Sequence, residues 1–99
     1  MNSRLDKWTS RIIGPTEIKA LWIYGLIMMD SIHDKGNLVF ISKNNDNLNL
    51  KLEIDRESSI MSPAAYQVMY CVPNYKNQYR QITIEYPDGQ LIKIKTPNA

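Results

Sequence analysis

The feature that most constrains the fold of this chain is an uninterrupted apolar run at residues 20–29, within the segment "KALWIYGLIMMD". A membrane-spanning helix needs about 20 predominantly apolar residues, and runs of about 10–14 more often form buried core helices. Lys19 and Asp30 bound the run, and Glu17 precedes it closely. Lengthening it would place these charges in hydrocarbon, which is costly. The sequence therefore predicts a buried element, with no membrane insertion.

The residues around the run favour a helix over residues 15–34. Pro15 suits the first helical turn, where its missing N–H costs nothing, and Glu17 is a favourable charge near the positive end of the helix dipole. Gly36 is a typical C-terminal stop, because glycine accepts the left-handed conformation that often ends helices. We therefore predict one long N-terminal helix.

This predicted helix would carry two apolar surfaces. Its main stripe would pack on a sheet and consists of Ile18, Trp22, Gly25, Met29 and Ile32. On the opposite side lie Ile23, Tyr24 and Ile27, and a helix that is apolar nearly all round is buried nearly all round. Either residues 1–13, as a packing arm, or a protein partner would cover these three residues. Residues 1–13 could instead form a flexible arm.

Two β-hairpins are predicted beyond Gly36. Residues 37–42 and 48–54 flank a polar turn, and the second segment alternates strictly between apolar and polar residues. Residues 81–86 and 90–95 flank Pro87-Asp88-Gly89, where proline presets the bend and glycine takes a positive φ. The two hairpins predict a mainly antiparallel sheet of about four strands.

The segment at residues 62–71 has two interpretations. Ser62 followed by Pro63 resembles the start of a short helix. The alternation of Tyr66, Val68, Tyr70 and Val72 with Gln67, Met69 and Cys71 is instead typical of a strand. We favour the helix, so the predicted fold is a single α+β domain over residues 1–99, with the long helix packed on the sheet.

The composition excludes several functions. One cysteine, Cys71, and one histidine, His33, leave no disulfide, no histidine-rich metal site and no two-cysteine metal spacing. Nucleotide-binding glycine motifs and the GxSxG nucleophile motif are missing from the sequence. We therefore expect a protein that is not an enzyme, has no cofactor and binds no metal. The lack of disulfides and of a secretory signal predicts a cytoplasmic location.

Two modes of binding remain. The first is contact with protein, most simply self-association as a homodimer through Ile23, Tyr24 and Ile27, because most oligomers are two-fold symmetric. The alternative is binding of single-stranded nucleic acid or RNA, because aromatic rings stack on bases while cations follow the phosphates. A net charge of +2 permits this alternative without requiring it. Its candidate residues are Arg4, Lys7, Arg11, Tyr75, Lys76, Tyr79 and Arg80.

Overall fold

The computed structural model describes residues 6–15, 17–56 and 62–97, and this part of the chain contains β-strands and no helix. The strands are β1 (Lys7–Ile13), β2 (Ala20–Met29), β3 (Lys35–Asn44), β4 (Asn47–Asp55), β5 (Ala64–Val72), β6 (Gln81–Glu85) and β7 (Leu91–Lys95).

The strands form two sheets that pack face to face. One sheet has three strands in the order β1-β2-β5, and the other has four in the order β3-β4-β6-β7. All neighbouring strands are antiparallel except β4 and β6, which are parallel. Because β5 lies beside β3 and β1 beside β7, the sheets are stacked with their edges aligned.

The core lies between the sheets and consists of alternate residues of the central strands. Leu21, Ile23 and Ile27 of β2 are fully buried against the other sheet. That sheet contributes buried residues from β4 and β6, which are Leu48, Leu50, Leu52, Ile82 and Ile84. Burying each such side chain stabilises the fold by roughly 1.5–3 kcal/mol.

The predicted helix over residues 15–34 is wrong. Residues 20–29 form the central strand β2, and the segment before it is a turn in which the Ile18 N–H donates to the Pro15 carbonyl at 3.0 Å. Gly14 adopts a φ of 124°, which glycine tolerates, and this reverses the chain between β1 and β2. Pro15 and Gly36 therefore do not mark the ends of a helix.

The predicted α+β class is also wrong, because the described strands make an all-β sandwich. Both hairpins are present and share the four-stranded sheet, but residues 64–72 form strand β5 where we predicted a short helix. Residues 7–13 of the predicted arm form the edge strand β1, while residues 1–5 lie outside the described residues. The described residues contain no helix long and apolar enough to cross a membrane.

A hydrogen-bond network joins the start of the chain to the turn between β6 and β7. The Trp8 Nε1–H donates to the Tyr86 hydroxyl at 2.9 Å, and that hydroxyl donates to Asp6 Oδ2 at 2.6 Å. The other Asp6 oxygen accepts the Met28 backbone N–H at 2.8 Å. Tyr86 is buried and directly follows β6 of the four-stranded sheet, so these contacts connect β1 and β2 to that sheet.

Candidate functional site

The three predicted partner-binding residues do not form one surface. Ile23 and Ile27 are 0% and 1% exposed, because both point into the core from β2. Tyr24 points the opposite way, since successive side chains of a strand alternate between its faces. A helical projection groups the three residues on one side, whereas the alternation of a strand puts Tyr24 on the opposite face from Ile23 and Ile27.

Tyr24 belongs to a different surface, which we call the outer apolar face. It is the solvent side of the three-stranded sheet, and its members follow from the register of β1 and β5 on β2. The face consists of Lys7, Thr9, Arg11 and Ile13 of β1, Ala20, Trp22, Tyr24, Leu26 and Met28 of β2, and Ala65, Gln67, Met69 and Cys71 of β5.

The outer apolar face exposes large apolar side chains next to one another. Ile13, Leu26, Met28 and Met69 are between 47% and 53% exposed. In its centre the rings of Trp22 and Tyr24 are stacked, with centroids 6.2 Å apart and planes inclined by 16°. Exposed apolar patches of this kind mark interaction sites in soluble proteins.

The charges of the outer apolar face all have one sign. Lys7 and Arg11 lie along β1, in register with Leu26 and Trp22 respectively. No Asp or Glu occurs among the residues of the face. The face is therefore an apolar centre with a cationic margin on its β1 side.

The solvent side of the other sheet has different chemistry. Three side-chain hydrogen bonds cross it from β6 through β4 to β3. Thr83 donates to Asn47 at 3.0 Å, Asn47 donates to Asn49 at 2.6 Å, and Asn49 donates to Ser42 at 3.0 Å. Polar groups thus satisfy one another in the middle of this side, although Ile41 and Leu91, which are 46% and 53% exposed, also lie there.

The aromatic residues of the predicted nucleic-acid patch are buried. Tyr75 and Tyr79 stack on each other, and the Tyr75 hydroxyl donates to the Tyr79 carbonyl at 2.6 Å. Their side chains belong to the core, so they cannot stack on bases from the surface. The sequence predicts these two tyrosines as binding residues of a loop, but in the structure their side chains pack in the core.

The cations of that predicted patch are dispersed. Lys76 is exposed in the loop after β5, and Arg80 lies 3.8 Å from Asp46 in a solvent-exposed pair. Lys7 and Arg11 are on the outer apolar face instead. Arg4 lies outside the described residues. Of the predicted cations that the structure describes, it therefore places Lys7 and Arg11 on one strand, beside Leu26 and Trp22 respectively.

A second feature is a small cleft at the turn between β2 and β3. It has a volume of about 150 Å³ and is lined by Met29, Ser31, Ile32, Asp34, Ala64, Ala65 and Tyr66. The Asp34 side chain is 1% exposed, and its Oδ1 has no hydrogen-bond partner within the described ranges. A buried carboxylate oxygen in this state is unusual, because burial without a partner costs free energy.

Arg56 lies beside this cleft. Its guanidinium donates to Asp30 Oδ2 at 2.5 Å and lies 3.6 Å from Asp34 Oδ2. The hydrogen bond that Arg56 donates to Asp30 and the negative charge of Asp30 raise the pKa of Arg56, and Asp34 adds a smaller contribution. Arg56 therefore stays cationic and faces two carboxylates.

The single histidine and the single cysteine of the chain occupy separate places. His33 is exposed in the turn between β2 and β3, where its backbone N–H donates to Ser31 Oγ at 3.2 Å. Cys71 is half-buried on β5. Within residues 6–15, 17–56 and 62–97, no group of three or more His, Cys, Asp or Glu side chains could hold a metal ion.

Comparison with protein-family models, with curated proteins and with solved structures finds no match to this chain.

The sequence contained one signal for the outer apolar face. Reading residues 20–29 as a strand groups Trp22, Tyr24, Leu26 and Met28 on one side by alternation alone. The addition of Met69, Lys7 and Arg11 requires the strand pairing, which sequence periodicity does not provide.

Proposed function

We propose that this chain is a non-catalytic protein-interaction module that self-associates through the outer apolar face. The observation that carries the proposal is the cluster of half-exposed apolar side chains around the stacked Trp22 and Tyr24. Removing such surface from water is favourable by about 25 cal/mol per Å². A second copy of the chain offers a surface of the same chemistry.

The distribution of charge selects one arrangement of the two copies. With the two-fold axis parallel to β2, the β1 side of one copy faces the β5 side of the other. Lys7 then lies opposite Gln67, Arg11 lies opposite Cys71, and Leu26 meets its own equivalent on the axis. A two-fold axis that lies in the plane of the interface but runs perpendicular to the strands would place β1 of one copy against β1 of the other. Lys7 and Arg11 of the two copies would then face each other, which Coulomb repulsion disfavours.

The size of the face predicts a weak dimer. The central strand has 10 residues. With a rise of about 3.3 Å per residue and three strands about 4.8 Å apart, the footprint is roughly 450 Å² per copy. Stable interfaces bury about 800 Å² per partner, so this contact belongs to the weak class. We therefore expect association to depend on concentration.

The experiment compares two matched substitutions by static light scattering and sedimentation. Leu26→Lys places a charge in the centre of the face, whereas Leu91→Lys makes the same change at a residue of similar exposure on the other sheet. We expect the wild type and Leu91→Lys to dimerise between about 10 µM and 1 mM, and Leu26→Lys to stay monomeric with an unchanged circular dichroism spectrum. A wild type that is monomeric throughout this range contradicts the proposal.

A second candidate function uses the same face to bind single-stranded nucleic acid. The observation that favours it is the register of Arg11 with Trp22, which sets a cation beside a stacked aromatic pair. Here Leu26→Lys would strengthen binding by adding a cation, while Arg11→Glu would abolish it. Titration with a labelled oligonucleotide at low and moderate salt tests this candidate, because the affinity of binding through phosphate contacts falls steeply as the salt concentration rises.

A further inference from the structure

The cleft at Asp34 has an apolar wall and one unpartnered anionic atom. Its wall includes Met29, Ile32, Ala64 and Ala65, which offer only hydrocarbon and thioether side-chain surface. Ser31 is buried at 2% exposed, and its hydroxyl oxygen already accepts the His33 N–H. Among the buried side-chain polar atoms of the described residues, Asp34 Oδ1 is the one without a hydrogen-bond partner.

Among the described residues, the ion pairs beside the cleft set one cation against two carboxylates. Asp30 and Asp34 contribute two carboxylates, and Arg56 is the cation paired with both, holding Asp30 closely and Asp34 only at 3.6 Å. Ser62 closes the turn through its N–H, which donates to the Asp30 carbonyl at 2.8 Å. This cluster therefore carries excess negative charge next to a buried oxygen that can accept a hydrogen bond.

These features identify the ligand by its chemistry. A cationic N–H donor satisfies a buried carboxylate oxygen by a charge-assisted hydrogen bond, which is stronger than a neutral one. Divalent metal ions need six or more oxygen ligands, whereas a single carboxylate oxygen is unengaged here. The apolar side chains that line the same cleft suit methylene groups. We propose that this cleft binds a primary ammonium group on a short alkyl stem, the chemistry shared by a lysine side chain and a free alkylamine.

The test uses the full chain and n-butylammonium, whose stem and head group match those of a lysine side chain. Backbone amide shifts of Ile32, Ala64 and Tyr66, which line the cleft and do not belong to the outer apolar face, are followed by NMR during the titration. 1-Butanol is the neutral control, and tetramethylammonium is the control with charge but no N–H donor. Asp34→Asn keeps the shape of the side chain and removes its charge.

We expect saturable shifts with n-butylammonium only, and a loss of affinity of about tenfold or more in Asp34→Asn, as for other hydrogen bonds to charged groups. If Asp34→Asn does not fold, Arg56→Gln provides the test. Removing the cation 3.6 Å from Asp34 should leave the carboxylate more available and tighten n-butylammonium binding. The proposal is overturned if 1-butanol gives shifts equal to those of n-butylammonium or if n-butylammonium gives no shifts. It is also overturned if neither variant changes the affinity for n-butylammonium.

A blocked lysine, acetylated and amidated at its backbone, distinguishes the source of the ligand. Binding as tight as that of n-butylammonium indicates a lysine of a partner protein, and binding of the alkylamine alone indicates a free amine. Failure here is separable from failure of the proposed dimer, because Asp34 and Arg56 do not belong to the outer apolar face and Leu26→Lys leaves the Asp34 carboxylate intact.

Discussion

At the scale of single residues, the closest fit in the molecule is between Gly25 and Trp8. The two are paired across β1 and β2, and the Trp8 indole lies flat over the glycine. A Cβ built on Gly25 would lie 2.3 Å from Trp8 Cζ3, far inside van der Waals contact. The ring cannot turn away freely, because its Nε1–H is bonded to the hydroxyl of Tyr86.

We therefore expect Gly25→Ala to destabilise the fold by about 1–3 kcal/mol, the usual cost of overpacking a core. Urea denaturation followed by fluorescence measures this free energy of unfolding. The control is Gly25→Ala made in a Trp8→Leu background, where the smaller side chain gives the methyl group room. The cost of the alanine should shrink there, and a cost that stays the same would mean that Trp8 is not the obstacle.

At the scale of strands, the chain shows when alternation can be recognised in a sequence. Residues 48–54 were identified as a strand because their outward residues are polar. Residues 20–29 were not, because β2 is apolar on its buried side and also on its exposed side. A short run that is apolar throughout has no measurable period, so it cannot be distinguished from a buried helix by pattern alone.

The same reasoning explains how much of the candidate site was predictable. The sequence predicts Tyr24 as a partner-binding residue together with Ile23 and Ile27 because a helical period groups the three, but these residues lie on a strand, where Ile23 and Ile27 are buried. In β5 the alternation of Tyr66, Val68 and Tyr70 was visible, and the helix-start residues Ser62 and Pro63 outweighed it. Pairing partners such as Met69 depend on long-range register, which local sequence does not encode.

Among the described strands, β5 is the one edge without protection against pairing with other chains. The edge strands β1, β3 and β7 carry lysines, and β3 also has a register shift between Phe40 and Ser42. By contrast, β5 has nine residues and no charge, proline or glycine. Long, uncharged edge strands are templates for aggregation.

We therefore expect Gln67→Lys, which adds a charge to this edge, to slow aggregation in mild denaturant several-fold. Thioflavin fluorescence and turbidity report the rate. Asn37→Lys is the matched control, because it makes the same change of net charge on β3, an edge that already carries lysines. Equal slowing by both variants would attribute the effect to net charge and not to β5.

At the scale of the whole molecule, the two sheets bury one common core but present different surfaces to solvent. The four-stranded sheet satisfies its outward polar groups through the Thr83–Asn47–Asn49–Ser42 hydrogen bonds. The three-stranded sheet instead exposes the apolar centre around Trp22 and Tyr24. Four large apolar side chains are half-exposed on the outer apolar face, against Ile41 and Leu91 on the other side, so the three-stranded sheet is the side on which we propose association.

The proposed two-fold axis makes a prediction about which residues face each other. Packed sheets are about 10 Å apart, a distance that a short bismaleimide spans. In a Cys71→Ser background, Leu26→Cys should give covalent dimers on denaturing gels, because Leu26 meets its own equivalent on the axis. Leu91→Cys, on the opposite sheet, should stay monomeric.

Off the axis, the same geometry requires a pair of different residues. Met69 of one copy faces Thr9 of the other, since both are in register with Tyr24. Met69→Cys alone should therefore cross-link poorly, whereas a mixture of Met69→Cys and Thr9→Cys chains should give a cross-linked dimer that contains one chain of each variant. Efficient cross-linking of Met69→Cys to itself, without that of Leu26→Cys, would contradict the axis and indicate pairing of two β5 edges.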